Sequence, residues 1–294
     1  MNNLKATITA LITPFHEGKI DYDSLERLLD HQLKNGIEGF VINGTTAESP
    51  TLEKSEREEI FRFARQFTQG RVPLIMGTGS NSTEKTVQAT REAEKLGADA
   101  VLVVVPYYNK PPQRGLFAHF KKTAESTSLP VLLYNVPGRT ITSLAVETVQ
   151  ELSRIKNIVG IKEASGKIDL ARDIQNACGR EFILLSGDDG TYAEFLAAGG
   201  HGVISVASHI LPAAFSSWRR SALEGKFEEA REGIRRYGRL IDLLFCEANP
   251  IPVKKALQLM GLVRSAELRL PLTEMESALT AELKKEMTAC GLLK

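Results

Sequence analysis

Cysteine is scarce in this chain, and the three present, Cys178, Cys246 and Cys290, are scattered. They fit no zinc-finger or redox spacing, and an odd, dispersed set argues against a disulfide framework and for reduced thiols in a cytoplasmic protein. Long apolar runs are lacking as well. None approaches the roughly 20 residues that span a bilayer. The stretch from Met1 to Phe15 is broken at Thr13-Pro14 and shows no small-residue cleavage site, so neither a membrane anchor nor a signal peptide is expected. An excess of one charge is missing too: 37 Lys and Arg against 36 Asp and Glu leave a formal +1. Such a balance argues against a nucleic-acid surface as the main function. The five histidines, His16, His31, His119, His201 and His209, show no metal-binding spacing, so no metal is expected, and His119 reads as a helix-surface residue. Gly77-Thr78-Gly79-Ser80-Asn81-Ser82 lacks the third glycine of a dinucleotide fingerprint, and Gly160 to Lys167 is one residue too long for a phosphate loop.

What is present is a rhythm. Short apolar runs recur every 20 to 34 residues or so: Ala6–Ile12, Gly39–Asn43, Pro73–Met76, Ala100–Val105, Val131–Tyr134, Ile158–Ile161, Phe182–Leu185 and Gly202–Val206. Most are continuous rather than alternating, as parallel strands covered on both faces require. Helical stripes lie between them. Asp23-Ser24 precedes Leu25, Leu28, Leu29 and Leu33, and Asn35-Gly36 follows; Ile60, Phe61, Ala64 and Phe67 share one face of Glu53 to Phe67; Ser82-Thr83 opens a segment that ends at Leu96-Gly97. Eight strand–helix units predict an α/β protein, a closed (β/α)8 (TIM) barrel over residues 1–224, with an open doubly wound sheet as the structural competitor. From Gly225 the strands cease. Phe227, Ala230, Ile234, Tyr237, Ile241 and Leu244 keep a helical period, and two further helices fit Pro252–Met260 and Thr273–Cys290, making 225–294 a helical appendage.

In such a barrel the chemistry sits where strands end and helices begin. Strand six ends in Lys162, followed by Glu163-Ala164-Ser165-Gly166. Burial disfavours an ammonium, and a neutral amine can condense with a carbonyl to form a Schiff base; the plain alternative is a strand-end lysine with its head in water. The same rim carries Gly44-Thr45-Thr46-Ala47-Glu48-Ser49 after strand two and Tyr107-Tyr108-Asn109 after strand four. Strand five continues into Tyr134-Asn135-Val136-Pro137-Gly138-Arg139-Thr140, strand seven into Gly187-Asp188-Asp189-Gly190, and strand eight ends near Ile204-Ser205. Each piece alone fits a capping turn, a half-buried aromatic or a solvated arginine. Their convergence on one rim is the informative observation.

On these residues, and on Asn249-Pro250-Ile251-Pro252-Val253-Lys254, the chain resembles the dihydrodipicolinate synthase family over essentially its whole length. That family belongs to the wider class of pyruvate-dependent, Schiff-base-forming aldolases and lyases. The resemblance implies condensation of pyruvate with aspartate semialdehyde at Lys162 and no cofactor. It implies a proton relay of Tyr134, Thr45 and Tyr108, with Tyr108 reaching into a neighbouring subunit's site. The amides of Thr45 and Thr46 would hold the pyruvate carboxylate, Arg139 the carboxylate of the semialdehyde, and carbonyls near Gly187 and Ile204 would orient substrate and lysine. Ala47 departs from the glycine of many members, a change the turn is expected to survive. The family also implies a homotetramer built from dimers.

Two other functions compete with this reading. Sialic acid lyases and sugar-acid aldolases share the lysine chemistry but accept polyhydroxylated aldehydes, whereas Arg139 suits a short anionic one. A non-catalytic barrel that binds a metabolite would have no use for Lys162, Tyr134, Thr45, Tyr108 and Arg139 together. Many family members are inhibited by lysine, at a site resembling the region of Ser49, Leu52, Lys54, Arg57, Asn81, Lys85 and Tyr107. Sensitive members tend to carry histidines at the positions of Lys54 and Arg57 and glutamate at that of Lys85. Three cations here, with no acidic partner in view, predict weak or absent inhibition.

Overall fold

The computed structural model describes residues 2–293. Eight parallel strands close into a barrel: β1 Thr7–Ala10, β2 Gly39–Ile42, β3 Leu74–Gly77, β4 Ala100–Val104, β5 Val131–Asn135, β6 Ile158–Glu163, β7 Ile183–Ser186 and β8 Gly202–Ser205. Each pairs with its sequence neighbour, and β1 pairs with β8 to shut the ring. The open-sheet competitor is thereby excluded. The barrel helices are α1 Tyr22–Lys34, α2 Lys54–Thr68, α3 Thr83–Lys95, α4 Gln113–Ala124, α5 Val146–Leu152, α6 Ile168–Cys178, α7 Tyr192–Ala197 and α8 Pro212–Leu223. Beyond them lie α9 Phe227–Leu243, α10 Ile251–Leu259 and α11 Ser277–Ala289. Among the described residues no helix is long and apolar enough to cross a membrane.

Why the strands read as continuous apolar runs is plain from burial. Alternate residues serve two cores: Ile8, Val41, Ile75, Leu102, Leu132, Leu185 and Ile204 fill the barrel interior, while Phe40, Ile42, Leu74, Val101, Val103, Leu133, Ile161 and Leu184 face the helices. Ala230, Leu240, Ile241, Val253, Leu257, Leu283 and Met287 of the carboxyl-terminal helices join that same outer cluster.

One irregularity sets the orientation of β6. Val131 pairs with Ile158 but Leu132 pairs with Gly160, leaving Val159 as an extra residue in the ladder. A bulge of this kind sets two residues opposite one and bends the strand. Only glycine fits at 160, because a Cβ there would lie 2.3 Å from the carbonyl oxygen of Ile183. Past the bulge, Lys162 lies opposite Tyr134 and Glu163 opposite Asn135.

Asp21 caps α1, its carboxylate accepting the Ser24 amide at 3.1 Å. Two expectations need correction. The last helix begins at Ser277, not Thr273; Glu276 is extended, and Met275, outside the helix, is buried in the core. His119 is buried rather than exposed, its Nδ1 3.0 Å from the Thr83 hydroxyl, and burial pushes its pKa down to about 4.

His209 is enclosed more completely. Its Nδ1 lies 2.8 Å from the Val206 carbonyl and its Nε2 accepts the Ile12 amide at 3.2 Å, so only the neutral, Nδ1-protonated ring satisfies both contacts. Burial pushes its pKa down to about 4. In the unfolded chain an ordinary histidine titrates near 6.5. Between about pH 6.5 and 4 the unfolded state therefore binds the extra proton, and stability falls as pH falls. The shift amounts to about 3 kcal/mol across that window. Thermal melts should show a lower Tm at about pH 5 than at about pH 7.5, and His209→Gln should reduce the difference, with His119 supplying a further share. Equal melting temperatures at the two pH values would remove this account of His209.

Candidate functional site at the carboxyl ends of the strands

The rim residues are positioned by ordinary local rules. Lys162, one residue before the end of β6, and Tyr134, one before the end of β5, point into the barrel side by side, with the lysine Nζ 4.5 Å from the centre of the tyrosine ring. Both are buried, at 6% and 8% exposure, so the amine is largely shielded from water. Gly187 closes one side. A Cβ there would come within 2.7 Å of the Lys162 Cε and 2.5 Å of the Ala164 Cβ, so the lysine occupies space that only glycine leaves free. The Gly187 amide donates to the Glu163 carbonyl at 2.7 Å. Ile204, on β8, is buried in the barrel interior.

After β2, Thr45–Ala47 forms a single 3-10 turn. Ala47 lies within the turn, and its carbonyl accepts the Thr13 hydroxyl at 2.9 Å. Glu48, not Ala47, takes the left-handed conformation, with φ 56°. The turn survives the loss of glycine, as expected. Thr46 is buried, its hydroxyl accepting from the side-chain amide of Asn249 at 2.9 Å. Thr45 is half-buried and lines a cleft of about 540 Å³ that also touches Tyr134, Tyr107, Asn43 and Leu102.

Arg139 stands on a one-turn helix, Pro137–Thr140, directly after β5. Its guanidinium is exposed and donates to the Asn249 carbonyl at 3.2 Å. Asn249 therefore ties the Thr46 and Arg139 branches of the rim together. The sequence assigned it no role, and its signal there was its place in the motif Asn249-Pro250-Ile251-Pro252-Val253-Lys254.

Tyr108 departs from the group. It is 86% exposed, with φ +75°, and does not line this chain's own cleft, which takes Tyr107 from the same loop. A bulky residue at positive φ is strained, and such strain persists where surroundings or function demand it. On the outer face of β6, Glu163 accepts from Asn135 at 2.7 Å and from the Ser165 amide at 2.6 Å, and burial raises its pKa. This pair braces the strand ends that carry Lys162 and Tyr134.

Beyond Thr45 the cleft opens between Lys54, Arg57 and Lys85. Here too the sequence reading needs amendment. An acid is present: Glu92 lines the same cleft and pairs with the Lys54 ammonium, with Glu58 4.0 Å away. Arg57 and Lys85 make no ion pair among the described residues. No group of three potential metal-ligating side chains occurs among the described residues.

A sequence model of the dihydrodipicolinate synthetase family matches residues 3–290. The chain belongs to that family. It is 60% identical over 293 residues to the 4-hydroxy-tetrahydrodipicolinate synthase of Bdellovibrio bacteriovorus, covering 100% of each chain. It is also similar to the dihydrodipicolinate synthase of Cyanidioschyzon merolae solved with lysine bound, with 43% identity, a TM-score of 0.94 and coverage of 98% of each chain. A monomeric dihydrodipicolinate synthase variant superposes with a TM-score of 0.96 at 42% identity, over 98% of this chain and 97% of that one.

Proposed function

We propose that this enzyme condenses pyruvate with aspartate 4-semialdehyde to give 4-hydroxy-tetrahydrodipicolinate, a step of the diaminopimelate route to lysine. The observation that carries the reading is the buried Lys162 amine set 4.5 Å from the Tyr134 ring at the rim of the closed barrel. Family membership and relatives carrying this synthase activity support it.

The lysine amine attacks the ketone of pyruvate and water leaves, giving an imine. Loss of a methyl proton makes the enamine, whose carbon adds to the aldehyde. The amine of the new chain then displaces Lys162 and closes the ring, freeing the enzyme. Every step moves a proton, which calls for positioned hydroxyls; Tyr134 and Thr45 supply them from the same cleft, and Tyr108 supplies one from a neighbouring subunit. Amides of Thr45 and Thr46 hold the pyruvate carboxylate, and Arg139 holds that of the semialdehyde. Gly187 and Ile204 shape the wall beside the lysine. No cofactor is needed, because pyruvate itself becomes the covalent intermediate. The free thiols fit a cytoplasmic enzyme. Steady-state assays with pyruvate and a panel of aldehydes test the assignment. Turnover with aspartate semialdehyde and none with N-acetylmannosamine is expected; the reverse preference would establish the sialic acid lyase reading.

The exposed, strained Tyr108 supports assembly into dimers and, from these, a tetramer, since such aromatics are enriched at interfaces. Tyr108→Phe should lower kcat roughly 10²-fold by removing a relay hydroxyl, without changing the assembly seen in sedimentation. A fully active wild-type monomer at assay concentrations would refute the shared site.

The cleft's outer end supports weak inhibition by lysine. Lys54 is partly neutralised by Glu92, but Arg57 and Lys85 remain, and a ligand bringing its own ammonium meets like charge. At 4 Å such repulsion is about 1 kcal/mol in bulk water and several times that near a protein surface. Initial rates should stay above half their uninhibited value at roughly 1 mM lysine. Strong submillimolar inhibition would mean that Glu92 releases Lys54 and takes the ligand's ammonium instead.

A further inference from the structure

We propose that the buried Glu48–Lys254 ion pair is a positioning device for the turn that carries Thr45 and Thr46, a role that rests on the pyruvate-binding assignment above. Glu48 ends that turn in a left-handed conformation and is 2% exposed, while Lys254, on α10, is fully enclosed. The Lys254 ammonium contacts one carboxylate oxygen of Glu48; the other accepts the Arg269 amide at 2.9 Å. Lys254 also donates to the Glu267 carbonyl at 2.8 Å and stands 4.2 Å over the Phe15 ring. Five residues earlier, Asn249 holds the Thr46 hydroxyl. The turn is thus held at its middle residue, Thr46, and at Glu48, where it ends, by one short stretch of chain, Asn249 to Lys254, that leads into α10.

Stability is a poor explanation for this pair. Two charges taken from water lose hydration that their attraction only partly restores, and well-packed apolar residues often serve a fold as well or better. An apolar pair, however, supplies no directed bonds to set a left-handed turn. Burial pushes the Lys254 pKa down to about 8 against the pull of Glu48, which agrees with a tightly enclosed ammonium. Displacement of the Thr45 and Thr46 amides would be felt when pyruvate binds and the imine forms, and much less when the second substrate docks on Arg139.

The test uses the full-length enzyme as Glu48→Gln, Lys254→Met and the double variant. Each single variant is expected to lose roughly 10²-fold in kcat/KM for pyruvate and to slow borohydride trapping of the pyruvate adduct. KM for aspartate semialdehyde should stay within about two-fold, as for a change confined to the first substrate. The double variant, with no unpaired buried charge, should regain near wild-type Tm while keeping the pyruvate defect. Recovery of both Tm and pyruvate kcat/KM in the double variant would overturn the proposal, as would equal losses for both substrates. A double variant that fails to fold would also overturn it, by making the pair structural. Absence of any trapped adduct in the wild type would instead overturn the Schiff-base assignment and is distinguishable from all of these.

Discussion

Lys162→Ala is expected to leave the barrel folded and to lower turnover by roughly 10⁴-fold or more, as loss of a covalent nucleophile does. The fold should persist because the Lys162 ammonium enters no ion pair among the described residues and stands 4.5 Å from the centre of the Tyr134 ring. Mass spectrometry decides the point: wild-type enzyme treated with pyruvate and borohydride should carry one reduced adduct on the peptide containing Lys162, and the variant none. An adduct on any other lysine would end the proposed mechanism, since no other amine lies beside Tyr134 among the described residues.

Arg139→Ala should separate the two half-reactions. Removing one member of a hydrogen-bonded charge pair that substrate binding encloses costs about 2–5 kcal/mol, so kcat/KM for aspartate semialdehyde should fall roughly 10²-fold or more. Trapping of the pyruvate imine should change by less than about two-fold, because the semialdehyde carboxylate is absent at that stage. Arg139→Lys should recover little, since a point charge cannot reproduce the planar two-pronged contact. The contact from Arg139 to the Asn249 carbonyl supplies the opposing outcome. If the arginine chiefly steadies Asn249, and through it Thr46, both half-reactions will fall together.

Features of the site that depend on local chemistry were legible in the chain. A strand buried on both faces must be apolar throughout, so a lysine or tyrosine at its exit stands out, and all eight strands lie where the apolar runs do. Glycine-rich turns at strand ends marked the rim for the same reason. What escaped depends on partners distant in sequence. Nothing near Asn249 indicates that it faces Thr46, more than 200 residues earlier. His119 looked exposed because a histidine among lysines on α4 carries no sign of the neighbouring Thr83 that receives it. Glu92 looked unrelated to Lys54 because the two meet across α2 and α3 rather than along one helix. The start of α11 was set too early, since Met275 continues the apolar spacing while packing from outside the helix.

The extra residue at Val159 makes β6 a matter of parity. Counted in pairs from Ile158, an even ladder would deliver Ile161 opposite Tyr134 and turn Lys162 toward the helices; the odd one delivers the amine to the barrel interior beside Tyr134. Losing Val159 would therefore close the ladder without exchanging its faces, because Gly160 would follow Ile158 directly and Lys162 would still lie opposite Tyr134. Losing Gly160 as well would set Lys162 opposite Leu133, turning the amine toward the helices and drawing it down the strand by roughly 3 Å, about one residue. Tolerance to insertion and deletion at this strand is consequently governed by arithmetic, odd against even, and a comparison of chains by residue type alone would miss the difference between an enzyme and an inert barrel.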